Sequence, residues 1–143
     1  MDGFLLPPFE NTSFSRKGGE KMKFTKYNGH EKYHFRLYRK TRNHPFLVIL
    51  VTEEKVENGK FLITGFNLTH STLKVLQRPS KFIKLARNPN PEDDTDSFLC
   101  IELVKDKEHK FFSSPLKKWS LSKEDEEKID KILSEKYLEF FED

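Results

Sequence analysis

At 143 residues, 35% hydrophobic and 34% charged, the chain is sized for one domain and is too polar for a large core, although fourteen Phe can each bury a large area. Its net charge of +3 is uneven: four Lys against nine Asp and Glu over residues 122–143 give −5 there and leave +8 on the rest. That imbalance points to an anionic partner for the body, against the plainer reading of solvated lysines on a small domain. A single cysteine excludes an internal disulfide, no apolar run reaches the length of a membrane span, and Asp2 with Pro7-Pro8 is unlike a signal peptide.

Residues 1–21 lack periodicity and contain Pro7-Pro8 and Gly18-Gly19, so a poorly ordered arm is expected there. Lys17-Gly-Gly-Glu-Lys-Met22 is what a purine-rich ribosome-binding site would encode if translated in frame. Met22 is therefore expected to be the natural start, and residues 22–143 a single domain. Residues 32–40 alternate: Tyr33, Phe35 and Leu37 face a core, while His34, Arg36, Tyr38 and Lys40 form a basic face. After the loop Thr41-Arg42-Asn43, His44-Pro-Phe-Leu-Val-Ile-Leu-Val51 reads as a strand buried on both sides. Glu57-Asn58-Gly59-Lys60 supplies a hairpin turn, and Phe61-Leu-Ile-Thr-Gly-Phe66 pairs back. The run then ends in Asn67, Thr69, His70 and Ser71, a polar cluster at a strand end.

Between residues 72 and 95, Leu73-Lys-Val-Leu76 reads equally as a strand or one helical turn. Lys81-Phe-Ile-Lys-Leu85 is a short amphipathic element, and Arg87-Asn-Pro-Asn-Pro is a loop. Residues 97–104 read as a strand with Cys100 as a buried structural thiol, Lys105-Asp-Lys-Glu-His109 as a turn, and Lys110-Phe-Phe112 as a short strand. The clearest helix covers 122–140, with Ser122 and Asp125 in the capping-box pattern and Ile129, Ile132, Leu133, Tyr137 and Phe140 on one face. Strands followed by one amphipathic helix predict an α+β, mainly β fold: a small, strongly curved antiparallel sheet or barrel with a C-terminal amphipathic helix.

The five histidines and one cysteine show no metal-ligand spacing, and no phosphate-cradling glycine loop is present, so neither a metal nor a nucleotide cofactor is expected. What remains at strand ends is basic and proton-transferring: Arg36, Arg42, His44, His70 and Lys105, with the hydroxyls of Thr64 and Ser71. Such a set suits metal-free RNA cleavage. There a ribose 2′-hydroxyl attacks its own phosphate while one group removes a proton, another returns one, and a cation holds the phosphorane charge. The plainer alternatives are a turn residue at His44, a β-former at Thr64, and a solvated edge at Arg36 and Arg42.

The order of four blocks adds to this reading. They are His44-Pro-Phe-Leu-Val-Ile-Leu-Val, Phe-Leu-Ile-Thr64-Gly, Ser97-Phe-Leu-Cys-Ile-Glu-Leu-Val-Lys105, and the Leu121-Ser-capped final helix. This order resembles the MazF/PemK-like toxin endoribonucleases across roughly residues 32–133. The resemblance implies an SH3-like barrel and metal-independent cleavage of single-stranded RNA. It also implies a toxin–antitoxin system with a cognate antitoxin (an RNA or a small acidic protein) and a homodimer; the lone cysteine and the N-terminus unlike a signal peptide separately lead to the expectation of a cytoplasmic protein. By position it puts Thr64 near the scissile phosphate and Lys105 on the RNA. The family's arginine before the proline is His44 here, so Arg42 substitutes through the loop or His44 transfers the proton itself. The long segment 72–95 is closer to the branch whose antitoxin is a repeated RNA.

The expected catalytic set is thus Arg42, His44, Thr64 and His70, and the expected RNA contacts are Arg36, Tyr38, Lys40, Asn67, Ser71 and Lys105, with Tyr33, Tyr38 and Phe66 available to stack bases. Competing readings are a non-catalytic RNA- or protein-binding module on the same barrel, and a phage or plasmid regulatory protein engaging a partner through its acidic helix.

Overall fold

A computed structural model describes residues 9–10, 26–27, 33–53 and 61–137. The expected start at Met22, the Asn58-Gly59 turn and Phe140 lie outside them, as does all of the arm except Phe9–Glu10. That dipeptide, β1, pairs antiparallel with Lys26–Tyr27, β2. The remaining strands are β3 (His34–Tyr38), β4 (His44–Glu53), β5 (Phe61–Thr69), β6 (Phe82–Lys84), β7 (Phe98–Cys100) and β8 (Val104–Glu108). Helix α1 spans Thr72–Gln77, and α2 spans Lys123–Lys136. The fold is mainly β: an open, six-stranded antiparallel sheet in the order β3-β4-β5-β7-β6, with β8 paired to β5, and one long helix.

The β4–β5 hairpin is the spine. Its register runs from Phe46 opposite Asn67 to Glu53 opposite Phe61, with a shift between Val48 and Leu50. That bulge explains the unbroken apolar run. Leu47, Ile49 and Leu50 face one core, and Phe46, Val48 and Val51 face the other, so all six side chains are at most 3% exposed. Gly65 is required where three strands crowd together. It pairs with Val48 and with Val104, and a Cβ on it would lie 2.0 Å from the Leu47 carbonyl oxygen. The far edge of β5 is divided: its first half holds β8 and its last residues hold β7.

The larger core lies under α2, where Ile129 and Leu133 are fully buried against Phe35, Leu47, Phe66 and Leu99. Ser122 caps α2 by accepting the Asp125 N–H at 3.1 Å. Asp125 itself turns away from the cap. Its fully buried carboxylate accepts the Ala86 N–H at 2.8 and 3.0 Å and the Arg87 N–H at 3.3 Å, fastening the helix to the 85–97 loop. At the other end the Tyr137 hydroxyl donates to the Ile101 carbonyl at 2.7 Å and accepts the Leu103 N–H at 3.1 Å. The Tyr33 hydroxyl donates to Asp130, and burial together with that carboxylate pushes the phenol pKa upward.

Several expectations are corrected here. The alternating face of β3 is not an exposed basic strip. His34, Arg36 and Tyr38 are each below 9% exposed; Tyr38 belongs to the second core with Phe112, and Arg36 reaches the Ser113 carbonyl. The Ser113 N–H donates to the Leu37 carbonyl at 3.0 Å, the Leu116 N–H to the Phe35 carbonyl at 2.7 Å, and Tyr38 bridges Phe112. Residues 97–104 are not one strand, since the chain bends at Glu102 between β7 and β8. The segment read as a turn at Lys105 is β8, with Asp106 at φ 54° absorbing a register shift against Ile63 and Gly65. Residues His109–Phe111 form a 3₁₀ turn. No helix among the described residues is long and apolar enough to cross a membrane.

Candidate nucleic-acid interface

The start of β4 and the end of β5 meet at an open cavity of about 650 Å³. One wall comes from the tight reversal before β4. A 3₁₀ turn over Arg39–Thr41 ends at Arg42, whose N–H donates to the Arg39 carbonyl at 3.2 Å. Arg42 and Asn43 then take φ of 61° and 60°. Asn enters that left-handed region easily; Arg does so at a cost of about 1 kcal/mol, and such strain concentrates at functional sites. The reversal brings Lys40, Thr41, Arg42 and His44 to the same cavity.

The opposite wall follows β5. The Thr69 hydroxyl accepts the Ser71 N–H at 3.0 Å, and the Ser71 hydroxyl accepts the Lys74 N–H at 3.3 Å, capping α1. Helix α1 thereby delivers Lys74 and Gln77 to the rim, followed by Arg78, while Leu73 and Leu76 on it are 64% and 75% exposed. Between the walls lie Asn67, Phe82 and Cys100. Phe82 pairs directly with Cys100 across β6 and β7, and continuing the register of Leu68 opposite Leu99 brings Asn67 abreast of Cys100. These three residues form one row across three strands, on one face of the sheet.

Among the described residues the cavity is lined by four Lys or Arg, one His and no Asp or Glu. Glu102 pairs with the lining Arg78 at 3.5 Å and with Lys81 at 3.0 Å, all three side chains being well exposed. Partial burial lowers the His44 pKa below its ordinary 6.5, and the positive charges of Lys74, His70 and Arg42 lower it further. His44 is therefore neutral at neutral pH and able to accept a proton.

Of the residues expected from sequence, Lys40, Arg42, His44 and Asn67 share this cavity, and His70 is close enough for its charge to act on His44. Ser71 caps α1 and is not among the residues lining the cavity. The others lie elsewhere. Thr64 is 2% exposed, and its hydroxyl accepts the Asp106 N–H at 3.0 Å, supporting the left-handed residue of β8. Arg36 is 7% exposed, donates to the Ser113 carbonyl at 3.4 Å, and helps to lower the pKa of His109, which burial depresses first. Tyr38 is buried in a stack on Phe112, with ring centroids 4.7 Å apart, and Tyr33 and Phe66 are core residues, so none of the three presents a face to bases. Lys105 is exposed on β8, outside the cavity lining.

Lys74, Gln77, Arg78 and Phe82 went unrecognised in the sequence, and Cys100 lines the cavity at intermediate exposure where a buried thiol was expected. The i,i+4 spacing of Lys74 and Arg78 was the available signal, hidden because Leu73-Lys-Val-Leu76 fits two periods. No group of three or more His, Cys, Asp or Glu among the described residues is placed to hold a metal ion. Comparison with family models, with curated proteins and with solved structures finds no match to this chain.

Proposed function

We propose that this protein binds single-stranded RNA in the cavity between β4, β5 and α1 and cleaves it without a metal ion, as the toxin of a toxin–antitoxin pair. The observation that carries the reading is the meeting of Arg42, His44 and Lys74 in a cavity that no Asp or Glu among the described residues lines, with His70 near enough for its charge to act on His44. The neutral His44 imidazole removes the proton from a ribose 2′-hydroxyl, and that oxygen attacks the adjacent phosphorus. Arg42 and Lys74 hold the phosphorane charge. His70 protonates the departing 5′-oxygen, leaving a 2′,3′-cyclic phosphate and a free 5′-hydroxyl. Thr64 acts only as support for β8.

The hydrogen bonds from residues 112–116 to the outer edge of β3 support reading the sheet as an SH3-like barrel of the MazF/PemK-like kind. A cognate antitoxin, whether a folded RNA or a small acidic protein, would be held by the same cationic rim, and a cytoplasmic site of action follows from the substrate. The sequestered Thr64 hydroxyl favours one alternative: the same cavity binds RNA and does not cut it.

Purified protein incubated with single-stranded RNA in EDTA separates the two. Cleavage leaving cyclic-phosphate ends, lost in His44→Ala and Arg42→Ala and kept in Thr64→Val, is the expected outcome. Intact RNA that is nonetheless tightly and salt-sensitively bound would rule out the enzyme and leave the binding module.

A further inference from the structure

We infer that Asn67 is a further catalytic residue for this cleavage, its side-chain amide donating a hydrogen bond to a non-bridging oxygen of the scissile phosphate; this rests on the RNA reading above. Asn67 lines the cavity, yet its side-chain oxygen is buried, with no hydrogen-bond partner among the described residues. The carboxamide therefore meets the cavity through Nδ2, which also makes no hydrogen bond among the described residues. That orientation is the less costly one, because a buried carbonyl oxygen goes unpaired more readily than a buried N–H. Nδ2 carries donors only, so what would satisfy it is an acceptor brought by a ligand.

The cations single out which acceptor. Lys40 lies over the Phe111 ring, 4.9 Å from its centroid, and Arg78 is paired with Glu102 at 3.5 Å. Arg42 and Lys74 have no ion pair among the described residues, and the charge of each acts on His44. Arg42 comes from the reversal before β4, Lys74 from α1 and Asn67 from the end of β5, so three elements bring donors to one cavity. A phosphate drawn to the two unpaired cations presents acceptor oxygens to all three. In the reaction the 2′-oxygen gives its proton to His44 and bonds to phosphorus. The bond from phosphorus to the 5′-oxygen breaks, its electron pair staying on that oxygen, which takes a proton from His70. Asn67 exchanges no proton. Charge gathers on the non-bridging oxygens as the phosphorane forms, so a neutral donor aimed there counts for more in the transition state than in the bound strand.

The test sets cleavage against binding. Single-turnover cleavage in EDTA reads the first, and fluorescence anisotropy with a 2′-O-methyl strand, which cannot be cut, reads the second. Asn67→Leu should slow cleavage about 100-fold and weaken binding by less than about threefold. Asn67→Ser, smaller and still polar, should slow cleavage about tenfold and covers the case in which Leu disturbs folding; circular dichroism checks both variants. Sulfur, a poor acceptor, in place of one non-bridging oxygen should slow the wild type about tenfold in one stereoisomer, and the folded variants by no more than about threefold. Wild-type rates in the folded variants, equal losses of cleavage and affinity, or an undiminished sulfur effect would overturn the role of Asn67 and leave RNA cleavage standing. A wild-type protein that leaves RNA uncut would overturn the cleavage reading and this inference together.

Discussion

The packing of α2 against the sheet and the cavity at His44 solve opposite problems. At the α2 corner every named polar group is spent on structure. Asp125 is fully buried and accepts two backbone N–H groups, with Lys128 at 3.5 Å, while the Tyr137 hydroxyl both donates and accepts. At the His44 corner, among the described residues, four cations line a cavity without a carboxylate, an arginine is held at positive φ, a buried carboxamide oxygen lacks a partner, and α1 buries none of its residues. The contrast teaches where to look for function. Burial with satisfaction fixes the fold, and departures from it, clustered in one place, are what a ligand would complete.

The sharpest way to break the comparison is to strike the seam both corners share. Gly65→Ala should cost about 3 kcal/mol or more, because its Cβ would meet backbone 2.0 Å away, and RNA binding should fall with folding. Chemical denaturation measures it. Asp125→Ala should cost about 2–3 kcal/mol by leaving the Ala86 and Arg87 N–H groups unpaired, yet the folded fraction should bind RNA as the wild type does. Arg42→Gly should do the reverse. Relief of the left-handed strain should leave stability level or raise it by about 0.5 kcal/mol, while RNA affinity drops roughly tenfold.

The smallest effect is titration. The folded His44 pKa is lowered from 6.5, so below that pH the unfolded chain takes up a proton that the folded protein resists. Stability should therefore fall as pH drops below 6.5. The decline in Tm from about pH 7 to about pH 5 should be shallower in His44→Gln, which removes this group and leaves His109 titrating in the same direction.

Much of the scaffold was legible in the sequence. The apolar block from Phe46 to Val51, the pairing of Phe61-Leu-Ile-Thr back upon it, and the Ser122-capped helix each carry a period or a cap that has one local meaning. The site was half legible. Arg42, His44 and Asn67 border the hairpin, so its geometry brings them together. Arg36 and Tyr38 were misread because alternation shows which residues share a face but not whether a second layer covers it, and residues 112–116 do so from 76 positions away in the Leu37–Ser113 contact. Thr64 was misread for a related reason: its hydroxyl is engaged by Asp106, a partner 42 positions distant. The Asp125 carboxylate matched a capping box in sequence, yet it serves the 85–97 loop.

The claim that the RNA backbone lies against Lys40, Arg42, Lys74 and Arg78 is tested most directly by the salt dependence of affinity for an uncleavable single strand. Three or four phosphate contacts predict a slope of log K against log salt of about −2 to −3, flattened by about 0.7 in Lys74→Ala or Arg42→Ala and unmoved in Lys105→Ala. A slope that none of the cavity substitutions changes, or that Lys105→Ala alone flattens, would contradict it.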